Sequence, residues 1–265
     1  MRKIAFLAFS LLGLTACNND DSGETPKDIQ VNFTFSENWD GEDISTADYE
    51  TTVYTNAHGE TLTLSKLVYL ISDVTFTATD GTEYDAGDYF LVEADETEVN
   101  SFTPALEIPE GTYTVSFTFG FDDEDNVSGI YNDLNSADGG WNVPDPLGGG
   151  YHYMRMEGRY MAAGSTDEVS FQYHTIRANK HTTLPPGPGT LEFTEDTSFE
   201  VSLGQITISE GTTITINMNV AEWFKNPEIW DLTELYTILM PNYEAQIKMN
   251  KNGKAGVFSL GEITQ

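Results

Sequence analysis

The sequence predicts an all-β protein: a single antiparallel β-sandwich domain with long loops and one or two short C-terminal helices. Three observations predict it. The chain carries 13 Tyr and 15 Phe, residue types that suit a pleated, half-buried surface. Apolar and polar residues alternate with period two, as in Ile29, Val31, Phe33 and Phe35, and again in Tyr113, Val115, Phe117 and Phe119. Turn formers such as Asp80-Gly81 and Glu210-Gly211 separate the runs. A length of 265 residues, 39% of them hydrophobic, suits one large all-β domain or two small ones. No internal repeat at fixed period is visible, which argues against solenoids and propellers.

The N-terminus sets the compartment. Arg2 and Lys3 precede an apolar run from Ile4 to Leu14, too short and too early for a spanning helix, so residues 1–17 read as an export signal. It closes on Leu14-Thr15-Ala16-Cys17, which resembles the lipobox of bacterial lipoproteins and marks Cys17 for lipidation. The expected location is the cell envelope, lipid-anchored to the outer membrane, periplasmic or surface-exposed. Residues 18–27, NNDDSGETPK, read as a flexible tether, and the domain as 28–265. Cys17 is the single cysteine, so no disulfide or thiolate site is available to the domain, and any metal must be held by His, Met, carboxylate, carbonyl or aromatic groups.

Within the domain, residues 29–35 form the first strand, followed by a loop over 36–46 carrying Glu37, Asp40, Glu42, Asp43 and Trp39. Strands follow at 53–54 and 61–77 around a turn at 56–59 that holds His58, read as solvent-exposed. Further strands are expected at 89–93, with an acidic exit over 93–98, and at 112–121. The run Asp122, Asp123, Glu124, Asp125, Asn126 offers oxygen-only ligands that suit a hard cation such as Ca²⁺. Its spacing is not the alternating pattern of an EF-hand loop, and a solvated acidic loop is the plainer reading.

Residues 139–160, GGWNVPDPLGGGYHYMRMEGRY, are the densest in information. Two prolines and a glycine triplet make 142–150 turn chemistry, so a strand begins near Tyr151. Alternation then places Tyr151, Tyr153 and Arg155 on one side and His152, Met154 and Met156 on the other. An imidazole and two thioethers in one column suit Cu(I); core-filling methionines beside a hydrogen-bonded histidine are the plainer reading. A strand over 169–176 puts Gln172, His174 and Ile176 on one face, and antiparallel pairing with 151–160 brings His152 and His174 to one end of the sheet. His181 follows on the way to the proline-rich 184–189, read as too irregular to pair. Strands at 199–203, 205–209 and 212–220 complete the sandwich. The helices are expected at 221–224 and 231–239, bounded by Pro227 and Pro241, and 246–258 reads as a last hairpin or helix-to-strand return around Asn252-Gly253.

These motifs together resemble the MbnP-like family of β-sandwich proteins, related to the periplasmic partners of methanobactin uptake and to secreted methanotroph copper proteins. The resemblance rests on Trp141 in a glycine loop, the strand to Glu157-Gly158, and Phe171-Gln172-Tyr173-His174. Upstream it includes the run from Leu64 to Val74 with Asp80-Gly81, and downstream Trp223-Phe224 and Met240-Pro241-Asn242. It implies a copper-binding β-sandwich with His152, His174 and Trp141 as metal residues and Met154, Met156 and His181 in support. It also implies a dihaem peroxidase or an envelope transporter as partner, the peroxidase oxidising the loop tryptophan to kynurenine in copper-binding relatives. Two departures stand out: Glu37 occupies the place where many relatives carry a first-strand histidine, and Trp141-Asn142-Val143 replaces the family's Trp-x-Trp.

The formal charge of −31, from 43 acidic and 12 basic residues, excludes nucleic acid and anionic membrane surfaces as natural partners and favours cations. The sequence contains no G-x-S-x-G, P-loop, H-E-x-x-H or G-x-G-x-x-G pattern, so nothing supports an enzyme. Two functions follow: a lipid-anchored protein that acquires or handles metal, with copper as the expected cargo, or a metal-independent surface module in which exposed Trp39, Trp141 and Trp230 stack on a glycan or protein ligand.

Overall fold

A computed structural model describes residues 27–87, 89–96, 100–137 and 140–265. The export segment, Cys17 and the tether up to residue 26 lie outside the described residues, as do Gly139 of the loop and Glu98 of the acidic exit. The strands are β1 (Asp28–Ile29), β2 (Asn32–Trp39), β3 (Glu42–Ile44), β4 (Tyr54–Thr55), β5 (Thr61–Ala78), β6 (Glu83–Asp85), β7 (Phe90–Glu93), β8 (Asn100–Phe102), β9 (Ile108–Pro109), β10 (Gly111–Phe119), β11 (Met154–Met161), β12 (Glu168–Thr175), β13 (Ala178–His181), β14 (Leu191–Glu195), β15 (Phe199–Ile208), β16 (Thr213–Asn219) and β17 (Phe258–Thr264). Among the described residues there is one α-helix, α1 (Tyr243–Lys254), between β16 and β17.

Two sheets face each other, as the alternating sequence requires. The larger runs β12-β11-β5-β10-β15, with β4, β6 and β7 also paired to β5; the smaller runs β17-β16-β2-β3, with β8 on β2. Strand β2 alternates half-buried and buried along its whole length, so Phe33 and Phe35 point inward, where they meet Phe76 at 6.0 Å and Tyr69 at 6.3 Å between ring centroids. The same phase carries Glu37 into the core. Its buried carboxylate accepts a 2.7 Å hydrogen bond from the Tyr69 hydroxyl, and burial holds its pKa above the usual carboxylate value despite that bond.

The topology that positions the functional residues is a pair of interrupted strands. β10 pairs with β5 from Tyr113↔Ala78 to Phe119↔Ile71, and β11 continues along the same edge in the same direction from Met154↔Tyr69 to Met161↔Thr61. The chain leaves the sheet at Gly120, whose N–H donates to the Leu70 carbonyl, and returns at Tyr153, whose carbonyl accepts from Leu70 N–H. The departure requires glycine: at φ +83° a Cβ on Gly120 would lie 2.4 Å from the Tyr153 ring. β12 and β15 repeat the device beside it, pairing with β11 and β10 respectively. Two excursions, over 121–152 and 176–198, therefore emerge side by side from the middle of one sheet.

Several elements differ from expectation. β2 and β16 run parallel, from Asn32↔Thr213 to Asn38↔Asn219, whereas the other strand pairs among the described residues are antiparallel. The expected strands at 199–203 and 205–209 are one strand, β15, bulged where Val115 faces Gly204 and Ser116 faces Ser202. The proline-rich 184–189 stays unpaired, as expected, but the flanking residues pair to make it the tip of the β13–β14 hairpin. Residues 231–239 form turns, whereas 243–254 is the helix. Asn242 caps α1 by accepting from Ala245 N–H, and Asn252 is drawn inward to donate to the carbonyls of Trp223 and Glu228. Gly253 continues the helix because a Cβ there would lie 2.6 Å from Phe199 and 2.8 Å from Trp223. The tryptophans are not exposed: Trp39, Trp141 and Trp230 are 8%, 0% and 0% exposed, so the stacking platform of the metal-independent reading is absent.

Candidate metal centre

The centre forms where the first excursion rejoins the sheet. Trp141 N–H donates to the Leu134 carbonyl, and the Trp141 carbonyl accepts from His152 N–H at 3.0 Å, so the loop closes on itself. His152 is buried. Its ring lies 5.6 Å from the Trp141 indole and 5.4 Å from the His174 ring, which stands nearly perpendicular to it. Trp141, His152 and His174 thus converge as the sequence suggests.

His174 arrives because β12 pairs with β11 in a register that sets it opposite Arg155. Directly opposed antiparallel residues share a face, so His174 and Arg155 lie on one side and Met154, opposite Thr175, and Met156, opposite Tyr173, on the other. Both thioethers are fully buried. The predicted column of His152, Met154 and Met156 is therefore broken. Regular strand structure starts at Met154 rather than Tyr151, and the irregular backbone at 152–153 turns His152 onto the face of His174. Met154 is a core residue. His181, on β13, contacts Thr190 through Nδ1 at 3.2 Å, with no contact to the histidine pair.

Hydrogen bonds fix the donor atoms of the two imidazoles. His152 Nδ1 lies 3.0 Å from the Trp141 carbonyl, which only accepts, so Nδ1 carries the hydrogen and Nε2 keeps its lone pair. Burial, followed by the Arg155 charge, lowers the His152 pKa to about 3, so the ring is neutral in the state that ligates metal. His174 Nε2 is 2.8 Å from Glu157 Oε1, a carboxylate–histidine pairing that orients a ligand ring and leaves Nδ1 as its donor. That hydrogen bond holds the Glu157 pKa below its usual value.

Arg155 completes the surroundings. Its guanidinium sits 4.9 Å over the Trp141 ring and donates to the Gly140 carbonyl at 2.6 Å, pinning the loop. It also lies 3.4 Å from His152 Nδ1. A positive charge this close opposes a divalent ion more than a monovalent one, and imidazole donors suit Cu(I). The residues therefore fit Cu(I) as a two-histidine site, with the unpartnered, buried Trp141 Nε1 beside it. A cleft of about 300 Å³ opens onto His174 between Leu147 and residues 237–241, Met240 among them.

The acid run does not converge. Asp122 Oδ1 accepts from the N–H groups of Glu124 and Asp125 at 2.8 and 3.1 Å, while Asp123 pairs with Arg177 at 2.9 Å. This run is tied to its own backbone and to the neighbouring excursion, with no oxygen cage for Ca²⁺. Arg155 and Glu157 are not among the site residues that the sequence predicts. Their signal is the two-residue spacing that puts both on the His174 face.

The family model described as MbnP matches residues 28–241. Among solved structures, MbnP from Methylosinus trichosporium is similar with a TM-score of 0.52, covering 89% of this chain and 99% of that one at 14% identity, a likeness of fold. No curated protein sequence matches.

Proposed function

The chain belongs to the MbnP family, and on that premise we propose that it is a lipid-anchored, extracytoplasmic copper-binding protein that acquires or hands on Cu(I). Convergence of His152 and His174 beside Trp141, with rings 5.4 and 5.6 Å apart, carries the reading. Neutral His152 and carboxylate-oriented His174 supply the donors, Arg155 selects against divalent ions, and the cleft beside His174 gives an approach for a partner delivering or removing the ion. The protein binds rather than catalyses. Cys17 provides the anchor at the outer membrane, and a dihaem peroxidase or envelope transporter is the proposed partner. Glu37 takes no part, because its carboxylate lies between the sheets on Tyr69.

The test is a Cu(I) and Cu(II) titration of the domain from residue 28 onward, comparing the wild type with a His152→Ala, His174→Ala double variant. One tight Cu(I) equivalent, absent from the variant, is expected. Identical weak binding by both proteins would refute the site.

A further inference from the structure

A second cluster lies at the far end of β11. His58 and Glu60 flank the β4–β5 turn, where the Asn56 side-chain oxygen accepts from the N–H groups of His58, Gly59 and Glu60 at 3.2, 3.0 and 3.0 Å. The turn is therefore held in shape without either side chain. His58 Nδ1 is 2.6 Å from Glu60 Oε1, and His58 Nε2 is 3.6 Å from Asp231 Oδ2. One donor atom from each residue lies within 4.8 Å of the other two. Asp231 Oδ1 is occupied by the N–H and hydroxyl of Thr233 at 2.8 and 2.6 Å, which leaves Oδ2 facing the histidine.

A second, independent observation points to a ligand. The Glu60 side chain is 2% exposed, and its Oε2 is buried with no hydrogen-bond partner. An orphaned carboxylate oxygen in a buried position is costly, and a cation at the cluster would satisfy it. We propose that His58, Glu60 and Asp231 form a binding site for a divalent cation of the zinc type, independent of the copper reading. One imidazole with two carboxylates is the donor set of a borderline ion rather than of Cu(I). Glu60 Oε1 faces Nδ1 and Asp231 Oδ2 faces Nε2, so the part-exposed imidazole turns about its Cβ–Cγ bond to bring one nitrogen to a cation held by both carboxylates, whose bonds of about 2.0 to 2.2 Å set ligand atoms about 3.4 Å apart. The cation replaces the proton shared between His58 and Glu60.

The two centres are distinct. Thr61 and Leu62, next to the cluster, pair with Met161 and Tyr160, whereas His152 lies beyond Met154. At about 3.3 Å per residue the separation along β11 and its approach is about 25 to 30 Å. Asp231 opens the segment whose Tyr236 carbonyl accepts from Gln172 N–H at 2.7 Å, so a bound cation clamps that segment onto the β4–β5 turn.

Zinc titration of the purified full-length protein tests this. Wild type and the His152→Ala, His174→Ala variant should bind one zinc equivalent alike, and Glu60→Gln and Asp231→Asn should each weaken it at least tenfold. Because zinc displaces the His58 proton, affinity should also fall between pH 8 and pH 6. If Glu60→Gln does not fold, Asp231→Asn, at a part-exposed position, decides alone. Zinc affinity unchanged in Asp231→Asn, or lost only in the His152/His174 variant, overturns the proposal.

Discussion

Buried, neutral His152 makes the stability of the domain depend on acid in a way that one substitution isolates. Its pKa is lowered from 6.5 to about 3 in the fold. A group whose native pKa is depressed contributes stability that is present above its unfolded pKa and lost as pH falls toward the folded value. The window therefore runs from about pH 6.5 down to about pH 3. At about 1.36 kcal/mol per pKa unit the total loss is on the order of 5 kcal/mol, of which about 2 kcal/mol falls between pH 7 and pH 5. Many carboxylates titrate in the same range and swamp any single curve. The relevant quantity is the difference between wild type and His152→Gln, which lacks this one proton site. Urea unfolding of apo-protein at pH 7 and pH 5, with a slope of about 2 to 3 kcal/mol/M, should show wild type losing about 0.7 to 1 M more midpoint than the variant. Parallel loss in both would mean that His152 is solvated in solution, and the neutral-ligand argument would fall with it.

Other outcomes follow from packing. Gly253→Ala should destabilise by about 1 to 3 kcal/mol, since its Cβ meets Phe199 and Trp223 at 2.6 and 2.8 Å. Gly187→Ala, with open space around it, should stay within about 0.5 kcal/mol in the same melts. Tyr69→Phe strips Glu37 of its hydroxyl donor and should cost about 1 to 3 kcal/mol at neutral pH. The Glu37 pKa is raised in the fold, so that penalty should shrink as pH falls and the carboxyl takes a proton. Asn179 donates to the carbonyls of Leu147 and Arg177 at 2.8 Å each; Asn179→Ala should speed hydrogen exchange around residues 147–150 while leaving β5 protected.

The sequence makes the sandwich legible because β2 and β10 alternate cleanly and declare their inner faces, as do the two ends of β5, whose middle from Leu67 to Ser72 is buried on both sides. It also brings Trp141, His152 and His174 together, since antiparallel pairing of 151–160 with 169–176 forces the two histidines to one end. What it hides is backbone irregularity. Counting by twos from Tyr151 assumes an unbroken strand, so the break at 152–153 inverts His152 relative to Met154 and Met156. Asn252-Gly253 has the composition of a turn, yet buried partners for Asn252 and two rings against Gly253 make it a helix end. The inward phase of Glu37 follows from alternation with Phe33 and Phe35. Its polarity alone suggests a loop. The pairing of Asp231 with His58 joins segments far apart in the chain, beyond the reach of any local pattern.

The interrupted strands have a consequence for how this scaffold tolerates change. A one-residue slip within a strand exchanges its two faces, so insertions in β10 or β11 would scramble the core. Inside an excursion the same insertion leaves both junctions, Gly120 and Tyr153, seated on Leu70. The entropy of closing a loop grows only logarithmically, by about 0.6 kcal/mol for each doubling of length. The excursions are therefore free to lengthen, shorten or be exchanged while the sheet keeps its register, and the ligand chemistry carried at their bases can diverge without refounding the fold.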